Sequence, residues 1–541
     1  MLSYNELISE LKDRVSALYQ DEKAFEPMQA VLDKWKEEKF DVISEVDEKT
    51  VYMITYGDSI YEKDTNTLQT LHKFMNAYLK DTISDIHLLP MFEYTSDDGF
   101  SVVDFRKVDP NLGDFSDIDK LKNDYKLMFD FVANHVSKSS DYFKGFIENN
   151  PEYKDFFVEF DPTADYANFT RPRTSPLFHE YANGHKALTT FSEDQVDLNV
   201  QNPKVLAELT DVLLYYASKG ATSIRLDAIG FLWKESGTTS IHLPQTHEIV
   251  KLWRLIVDFF KPNTQIITET NVPHVENISY FGNEDEANMV YQFALPPLVF
   301  HSFVTENAKK LSDWAKTIDL GSDKITYFNF LSSHDGIGLR PTEGILTDDE
   351  RQGLANRVKA NGGEISYKSN PDGSQSIYEL NINYHDALVN QEYDEETQMK
   401  QIMAANTILF SVIGAPAIYY NTLLGSRNDY VGLKNSGINR RINREKFEYN
   451  QLVNELETDA RRQTILGGIK ELIKTRKQYS AFNPYASQKV LDVNEKVFAI
   501  ERFNASTNQT VQVFVNVSNE TIELTEYGIT LAPFASVIQE V

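Results

Sequence analysis

Short apolar, β-branched runs alternate with stretches of helical spacing over most of the chain, and that alternation sets the first expectation of fold. Eight such runs stand at residues 51–56, 86–89, 127–132, 222–226, 265–268, 289–293, 327–331 and 417–420. Strands separated by helices join as βαβ units in a parallel sheet, and eight of them close a (β/α)₈ TIM barrel of the α/β class. Ahead of the first run, residues 1–45 place Leu7, Leu11, Val15 and Leu18 at helical spacing among many charges. That pattern predicts an N-terminal helical extension packed on a larger body. Two gaps are too long for simple βα connections: residues 137–202 after the third run and 336–396 after the seventh. Loops beyond about 15 residues in compact domains tend to carry function, so both are expected to be subdomains overhanging the barrel mouth. The barrel then comprises 46–136 and 203–482. From 483 to 541 the period changes to two, in VFAIERF and TVQVFVNVS, which predicts a small all-β domain at the C-terminus.

Composition narrows the partners. The 541 residues exceed what one core organises, since cores stop growing near roughly 250 to 300 residues. With 53 Lys and Arg against 81 Asp and Glu, the net charge of −28 repels nucleic acid and anionic membrane at long range, so neither is expected as a partner. There is no cysteine, and MLSYNELISELKDRV lacks the basic, apolar, small-residue order of a secretory signal. No apolar run approaches the roughly 20 residues of a membrane span. A cytoplasmic protein is the expectation.

In a parallel barrel the reactive groups stand at the C-terminal ends of the strands. DFVANH after the third run gives Asp130, Asn134 and His135; IRLDA after the fourth gives Arg225 and Asp227; TETN after the fifth gives Glu269 and Asn271; SSHD after the seventh gives His334 and Asp335. A lone NH or HD pair is readily structural, and R-x-D is as often a plain ion pair. Four sets in succession at one rim are not what packing alone produces. Carboxylates sharing a cleft raise each other's pKa, a cost that glycoside cleavage puts to use. One must be ionised to attack the anomeric carbon while another is protonated to serve the leaving oxygen. Arg225, two residues before Asp227 on the same strand face, is expected to keep Asp227 charged. Glu269, expected to lack an adjacent cation, is then the general acid and later the base. Asp335 would stabilise positive charge on the sugar ring.

At these positions the sequence resembles glycoside hydrolase family 13, the α-amylase family, whose four characteristic regions match DFVANH, IRLDA, ETN and HD. Within it the chain is similar to the sucrose phosphorylase branch, through DGFSVVDFRKVDPNLGDF, YKLMFDFVANHVSKSS, FSEDQVDLN, QFALPPLVFH, SSHDGIG and RRINRE. The resemblance implies Asp227 as nucleophile, Glu269 as acid/base and Asp335 as transition-state stabiliser. It places Asp97, Phe100, His135, Gln195, Arg225, His334 and Arg444 around the donor glucose. It implies no metal and no cofactor, with inorganic phosphate as co-substrate of a small α-glucoside. Nothing in the sequence resembles a dense oxygen-ligand calcium loop.

Phosphorolysis needs an anion to enter a pocket of carboxylates, so local cations are required. FTRPRTSPLF in the first insertion offers Arg171 and Arg173 on a proline-stiffened segment, and an arginine fork suits phosphate oxygens. In the resembled branch the corresponding loop, and the second-insertion loop with Tyr378, contact phosphate or acceptor. The strings TRPRTSPL and ITETNVPH, with Asn271 where sucrose phosphorylases have histidine, are more similar to glucosylglycerate phosphorylases and sucrose 6-phosphate phosphorylases. TRPRTSPL favours the former, which implies phosphorolysis of glucosylglycerate to α-glucose 1-phosphate and glycerate. Thr174, Ser175, Asn271 and His242 are then candidates for holding the glycerate carboxylate. Sucrose 6-phosphate, sucrose and glucosylglycerol phosphorylases, and an α-glucosidase or transglucosidase, remain alternatives. A non-catalytic carbohydrate-binding barrel would be expected to have lost one of the three carboxylates.

Overall fold

The computed structural model describes residues 2–541. Eight strands form a closed parallel barrel: β1 (Tyr52–Thr55), β2 (Asp85–Leu88), β3 (Lys126–Phe131), β4 (Ala221–Leu226), β5 (Gln265–Thr268), β6 (Met289–Tyr291), β7 (Thr326–Asn329) and β8 (Ala415–Tyr419). Each pairs with the next, and β8 closes on β1 with Tyr52 opposite Ala417. Strands buried on both faces read as unbroken apolar runs, which is why all eight were legible. The sixth and seventh runs outlast their strands because Phe293 and Phe330 pack edge to face, 5.5 Å apart, in buried loops above the barrel. The interior is not wholly apolar. Tyr52 shares a 3.0 Å hydrogen bond with Ser223, and higher up His87, Asp130 and Arg225 form a buried polar chain.

The N-terminal extension folds as α1 (Tyr4–Tyr19) and α2 (Glu26–Trp35). Ser3 caps α1 in a reciprocal capping box with Glu6, and Leu7, Leu11 and Val15 form its buried face. The pair lies on two barrel helices, α3 (Pro203–Ser218) and α4 (Pro244–Phe260), each opened by a proline at its first turn. Asp211 of α3 is the fastening point: Lys34 Nζ, Trp35 Nε1 and Arg106 Nη2 donate to it at 2.8, 2.7 and 2.5 Å.

The insertion after β3 carries a short helix (Asp141–Ile147) and a hairpin (Phe178–Glu180 with Lys186–Leu188). Its last strand, Val196–Asp197, returns to pair with His135–Val136 at the end of β3. The insertion after β7 holds a three-stranded antiparallel sheet, in the order Ile337–Gly338, Gln375–Asn381, Glu364–Ser369, and a helix at Asp348–Ala360. The C-terminal domain is an antiparallel sheet of β9 (Ser487–Val490), β10 (Val497–Asn504), β11 (Gln509–Asn516) and β12 (Ser536–Glu540), with a small hairpin beside it. Buried Arg502 stitches it to the barrel by donating to main-chain carbonyls, and buried Arg476 of the barrel anchors the segment that leads into it. Arg502 reaches those of Ser411 and Asn483 at 2.8 Å, and Arg476 reaches those of Phe410 at 2.8 Å and Phe482 at 2.7 Å.

Candidate active site

The register of β4 and β5 sets the centre of the site. Leu226 lies opposite Thr268, so the next residues, Asp227 and Glu269, leave neighbouring strands side by side at the rim, with backbones about 5 Å apart. The chain turns at once after Asp227: Ala228 is left-handed (φ 47°), and its N–H donates to Glu269 Oε2 at 2.8 Å. Arg225 lies wholly buried beneath. Its Nη1 donates to Asp130 at 2.7 Å and Asp227 at 2.9 Å, and its Nε donates to the Tyr291 hydroxyl at 3.0 Å. Asp130 is held from its other side by His87 Nε2 at 2.8 Å.

One expectation needs correction. Glu269 does have an adjacent cation, because the flat guanidinium spans both strand ends and brings Nη2 of Arg225 to 3.7 Å from its carboxylate. The contrast between the two acids is one of degree. Burial pushes both Asp227 and Glu269 above the usual carboxylate range, Arg225 opposes this in each, and the charge of Asp335 adds to it. Between them, the direct charge-assisted bond at 2.9 Å favours the charge on Asp227 more than the 3.7 Å approach favours it on Glu269. Asp335 is different. Burial pushes it up, but His334, Arg440, Arg225 and Arg444 together hold it below the usual range.

Asp227, Glu269 and Asp335 line one cavity, and Asp97, Phe100, His135, Gln195 and His334 line it too. Phe100 and His334 stack with ring centroids 4.9 Å apart. The Phe100 carbonyl accepts from His135 Nε2 at 3.0 Å and Gln195 Nε2 at 3.1 Å, and Gln195 also donates to Asp97. The wall is shaped by consecutive left-handed residues, Asp97 (φ 54°) and Asp98 (φ 49°), followed by Gly99 (φ 110°), where a Cβ would meet the Pro90 carbonyl oxygen at 2.6 Å. His135 is backed by Asn134, and Asn134 by the buried Lys234 ammonium at 2.6 Å. Arg444 lies behind the wall, donating to Asp98 at 2.7 Å and to the His334 carbonyl at 2.9 Å, with Asp97 4.0 Å away.

The outer part of the cavity draws on both insertions. Arg173 sits between the rings of Phe191 and Tyr378, at 5.4 and 5.1 Å. It donates to the Pro172 carbonyl at 3.2 Å and, among the described residues, forms no salt bridge. Asn271 lines the cavity as well. Four expected acceptor residues do not. Arg171 closes its own loop by donating to the Ser175 carbonyl at 2.8 Å, and Ser175 Oγ is directed to the Phe191 carbonyl at 3.4 Å. Thr174 is exposed on the outside of that loop. His242 is turned away, its Nδ1 2.6 Å from the Tyr280 hydroxyl and its Nε2 3.3 Å from Glu276.

Sequence reasoning missed Arg440, Glu379 and Arg340, all on the cavity wall. Arg440 Nη1 contacts Asp335 at 2.8 Å, while its Nε and Nη2 grip Glu379 at 2.7 and 3.0 Å, tying the rim to the second insertion. The signals were within reach: Arg440 opens RRINRE, Glu379 follows Tyr378, and Arg340 stands two residues past SSHDGIG. Among the described residues no group of three or more His, Asp or Glu is placed to hold a metal ion.

Comparison with known proteins adds three findings. The model of the α-amylase catalytic domain matches residues 66–342. The chain is 43% identical to the glucosylglycerate phosphorylase of Spirochaeta thermophila, over 95% of this chain and 90% of that one, and 44% identical to the glucosylglycerate phosphorylase of Escherichia coli, over 87% and 85%. The crystal structure of sucrose 6F-phosphate phosphorylase from Thermoanaerobacter thermosaccharolyticum shares the fold, with a TM-score of 0.75 over 91% of this chain and 98% of that chain at 22% identity.

Proposed function

The chain belongs to the α-amylase family, and from that premise we propose that it is a retaining phosphorylase converting glucosylglycerate and phosphate into α-glucose 1-phosphate and glycerate. The observation that carries this reading is the pairing, in one cavity, of three strand-end carboxyl groups with an arginine that has no carboxylate of its own among the described residues, Arg173. A hydrolase has no need of such a group, whereas an incoming phosphate does.

Asp227 attacks the anomeric carbon as the glycosidic bond breaks, and Glu269 gives its proton to the departing glycerate oxygen. Asp335, held ionised by its arginines, opposes the positive charge that spreads over the ring in the transition state. The glucosyl ester of Asp227 is then displaced by a phosphate oxygen, with Glu269 taking up any proton the phosphate releases. Two inversions return the α configuration. Phe100, stacked on His334, forms the floor for the sugar, while Asp97, His135 and Gln195 supply polar contacts around it, with Arg225 beneath and Arg444 holding that wall from behind. Arg173 with Tyr378 receives the phosphate, and Asn271 faces the leaving group. Every step uses these side chains, the glucoside and phosphate. We assign the reaction to the cytoplasm, to which a chain without cysteine is suited; no helix among the described residues is long and apolar enough to cross a membrane.

The test is to incubate the purified protein with glucosylglycerate, with and without phosphate, and follow products by NMR. The expected outcome is α-glucose 1-phosphate in step with phosphate consumed, and an Arg173→Ala variant that loses about 10²-fold in kcat/KM for phosphate, far more than it loses in hydrolysis. Free glucose released at a rate indifferent to phosphate would overturn the reading.

A further inference from the structure

Five arginines stand at or just beneath this cavity, and three are already neutralised. Arg225 holds Asp130 at 2.7 Å, Arg440 holds Glu379 at 2.7 Å and Asp335 at 2.8 Å, and Arg444 holds Asp98 at 2.7 Å. Arg173 and Arg340 are the two that remain. The nearest carboxylate to Arg340 is that of Glu343, 3.9 Å away and about half exposed, while the Arg340 side chain is only 19% exposed. Its Nε is buried with no hydrogen-bond partner among the described residues. A partly buried guanidinium with so weak a counter-ion is costly in the free protein and suited to an anion brought by a ligand.

Its neighbours give that anion a shape. Arg340 follows Gly338 and Leu339. A Cβ at Gly338 would lie 2.5 Å from Asn271 Oδ1, so only glycine lets Asn271 fit against this strand. The Leu339 N–H donates to the Tyr378 carbonyl at 3.4 Å, and the Tyr378 ring carries Arg173. Arg340 and Asn271 therefore belong to one wall of the cavity. Asn271 also lines the cavity, and its Oδ1, packed against Gly338, has no hydrogen-bond partner among the described residues. A guanidinium fork beside a polar side-chain amide is complementary to a short hydroxy acid.

We propose that Arg340 is the specificity-determining residue of the acceptor side, pairing with the carboxylate of glycerate, with the Asn271 side chain beside it on the same wall. This rests on the proposed glucosylglycerate activity and assigns its acceptor preference to a residue outside the arginine-bearing motifs of the sequence. Neutral three-carbon polyols lack the carboxylate and gain nothing from Arg340.

The experiment runs the reaction in reverse, with α-glucose 1-phosphate as donor and glycerate or glycerol as acceptor, on wild type, Arg340→Gln and Arg340→Lys. The expected result is a fall of about 10²-fold in kcat/KM for glycerate in Arg340→Gln, carried by KM, with a much smaller change for glycerol and partial recovery in Arg340→Lys. An Arg340→Gln variant that keeps the wild-type preference for glycerate over glycerol would overturn this inference alone. So would a uniform loss across acceptors and hydrolysis, which is the mark of a merely structural residue, or a rise only in the KM for phosphate. A wild type that ignores glycerate would overturn the functional reading and this inference together.

Discussion

Arg225 lies under two carboxyl groups instead of one, and the division of labour we propose for Asp227 and Glu269 rests on a difference of less than an ångström in its reach: 2.9 Å to the first and 3.7 Å to the second. Burial supplies the rest. It is the largest influence on Glu269 and raises its pKa, with the charge of Asp335 adding to the rise. Glu269 must be protonated to begin the reaction, so the alkaline limb of kcat/KM belongs to it and stands above the ordinary carboxylate value. Replacing Asp335 by Asn removes a negative charge from its surroundings and makes its ionisation easier. Asp335→Asn is therefore expected to lose about 10² to 10³-fold in kcat/KM and to move the alkaline limb to lower pH. A pH profile whose alkaline limb does not move would assign that limb to another group. The three carboxyl groups and Arg225 were legible in the sequence because a barrel puts its reactive groups where an apolar run stops. Arg440 and Arg340 were not, since they stand well past the ends of their strands and their positions depend on how loops fold back over the barrel.

At the scale of elements, the barrel strands announced themselves and their far ends did not. β8 begins at Ala415–Pro416, two residues before its apolar run, because Pro416 pairs at the edge of β7, opposite Asn329. At the start of β2, on the face of the barrel away from the cavity, Asp85 continues the strand with a buried carboxyl group. Burial raises its pKa from the ordinary 3.8 to about 6, with the Ser84 hydroxyl, donating at 2.6 Å, and Lys126 opposing. A carboxyl group that keeps its proton in the fold longer than in the unfolded chain gives full stability below the unfolded pKa and loses it as pH rises through the folded one. Asp85→Asn, which never ionises, should match wild type near pH 4 and exceed it at pH 8 by about 3 kcal/mol, a figure that follows from about 1.4 kcal/mol per pKa unit. Urea titrations at both values check this, and an equal difference at both would contradict it. The two insertions were legible as insertions from their length alone. What they build was not, because the sandwich of Arg173 between Phe191 and Tyr378 joins segments nearly two hundred residues apart.

The whole molecule carries a net charge of −28, and the proposed substrate and co-substrate, glucosylglycerate and phosphate, are both anions. At physiological salt that field is screened within about 8 Å, so a few guanidinium groups at the mouth decide locally what the total charge opposes at a distance. The fold gathers them from separate places: Arg173 from the first insertion, Arg340 from the second, Arg440 from the stretch after β8, all on one cavity of the barrel. The N-terminal helices and the C-terminal sheet take no part in that cavity; Asp211 at one end and Arg502 at the other fasten them to the scaffold that keeps it in register. The central claim, that Asp227 carries the glucosyl group and surrenders it to phosphate, is tested most directly by the intact mass of the Glu269→Gln protein exposed to α-glucosyl fluoride. That donor needs no acid to depart, and an anionic nucleophile needs no base. The protein should gain one glucosyl unit, on the peptide that contains Asp227, and lose it as α-glucose 1-phosphate when phosphate is added. A label on any other residue, or an ester that phosphate leaves intact while water removes it, would contradict the account.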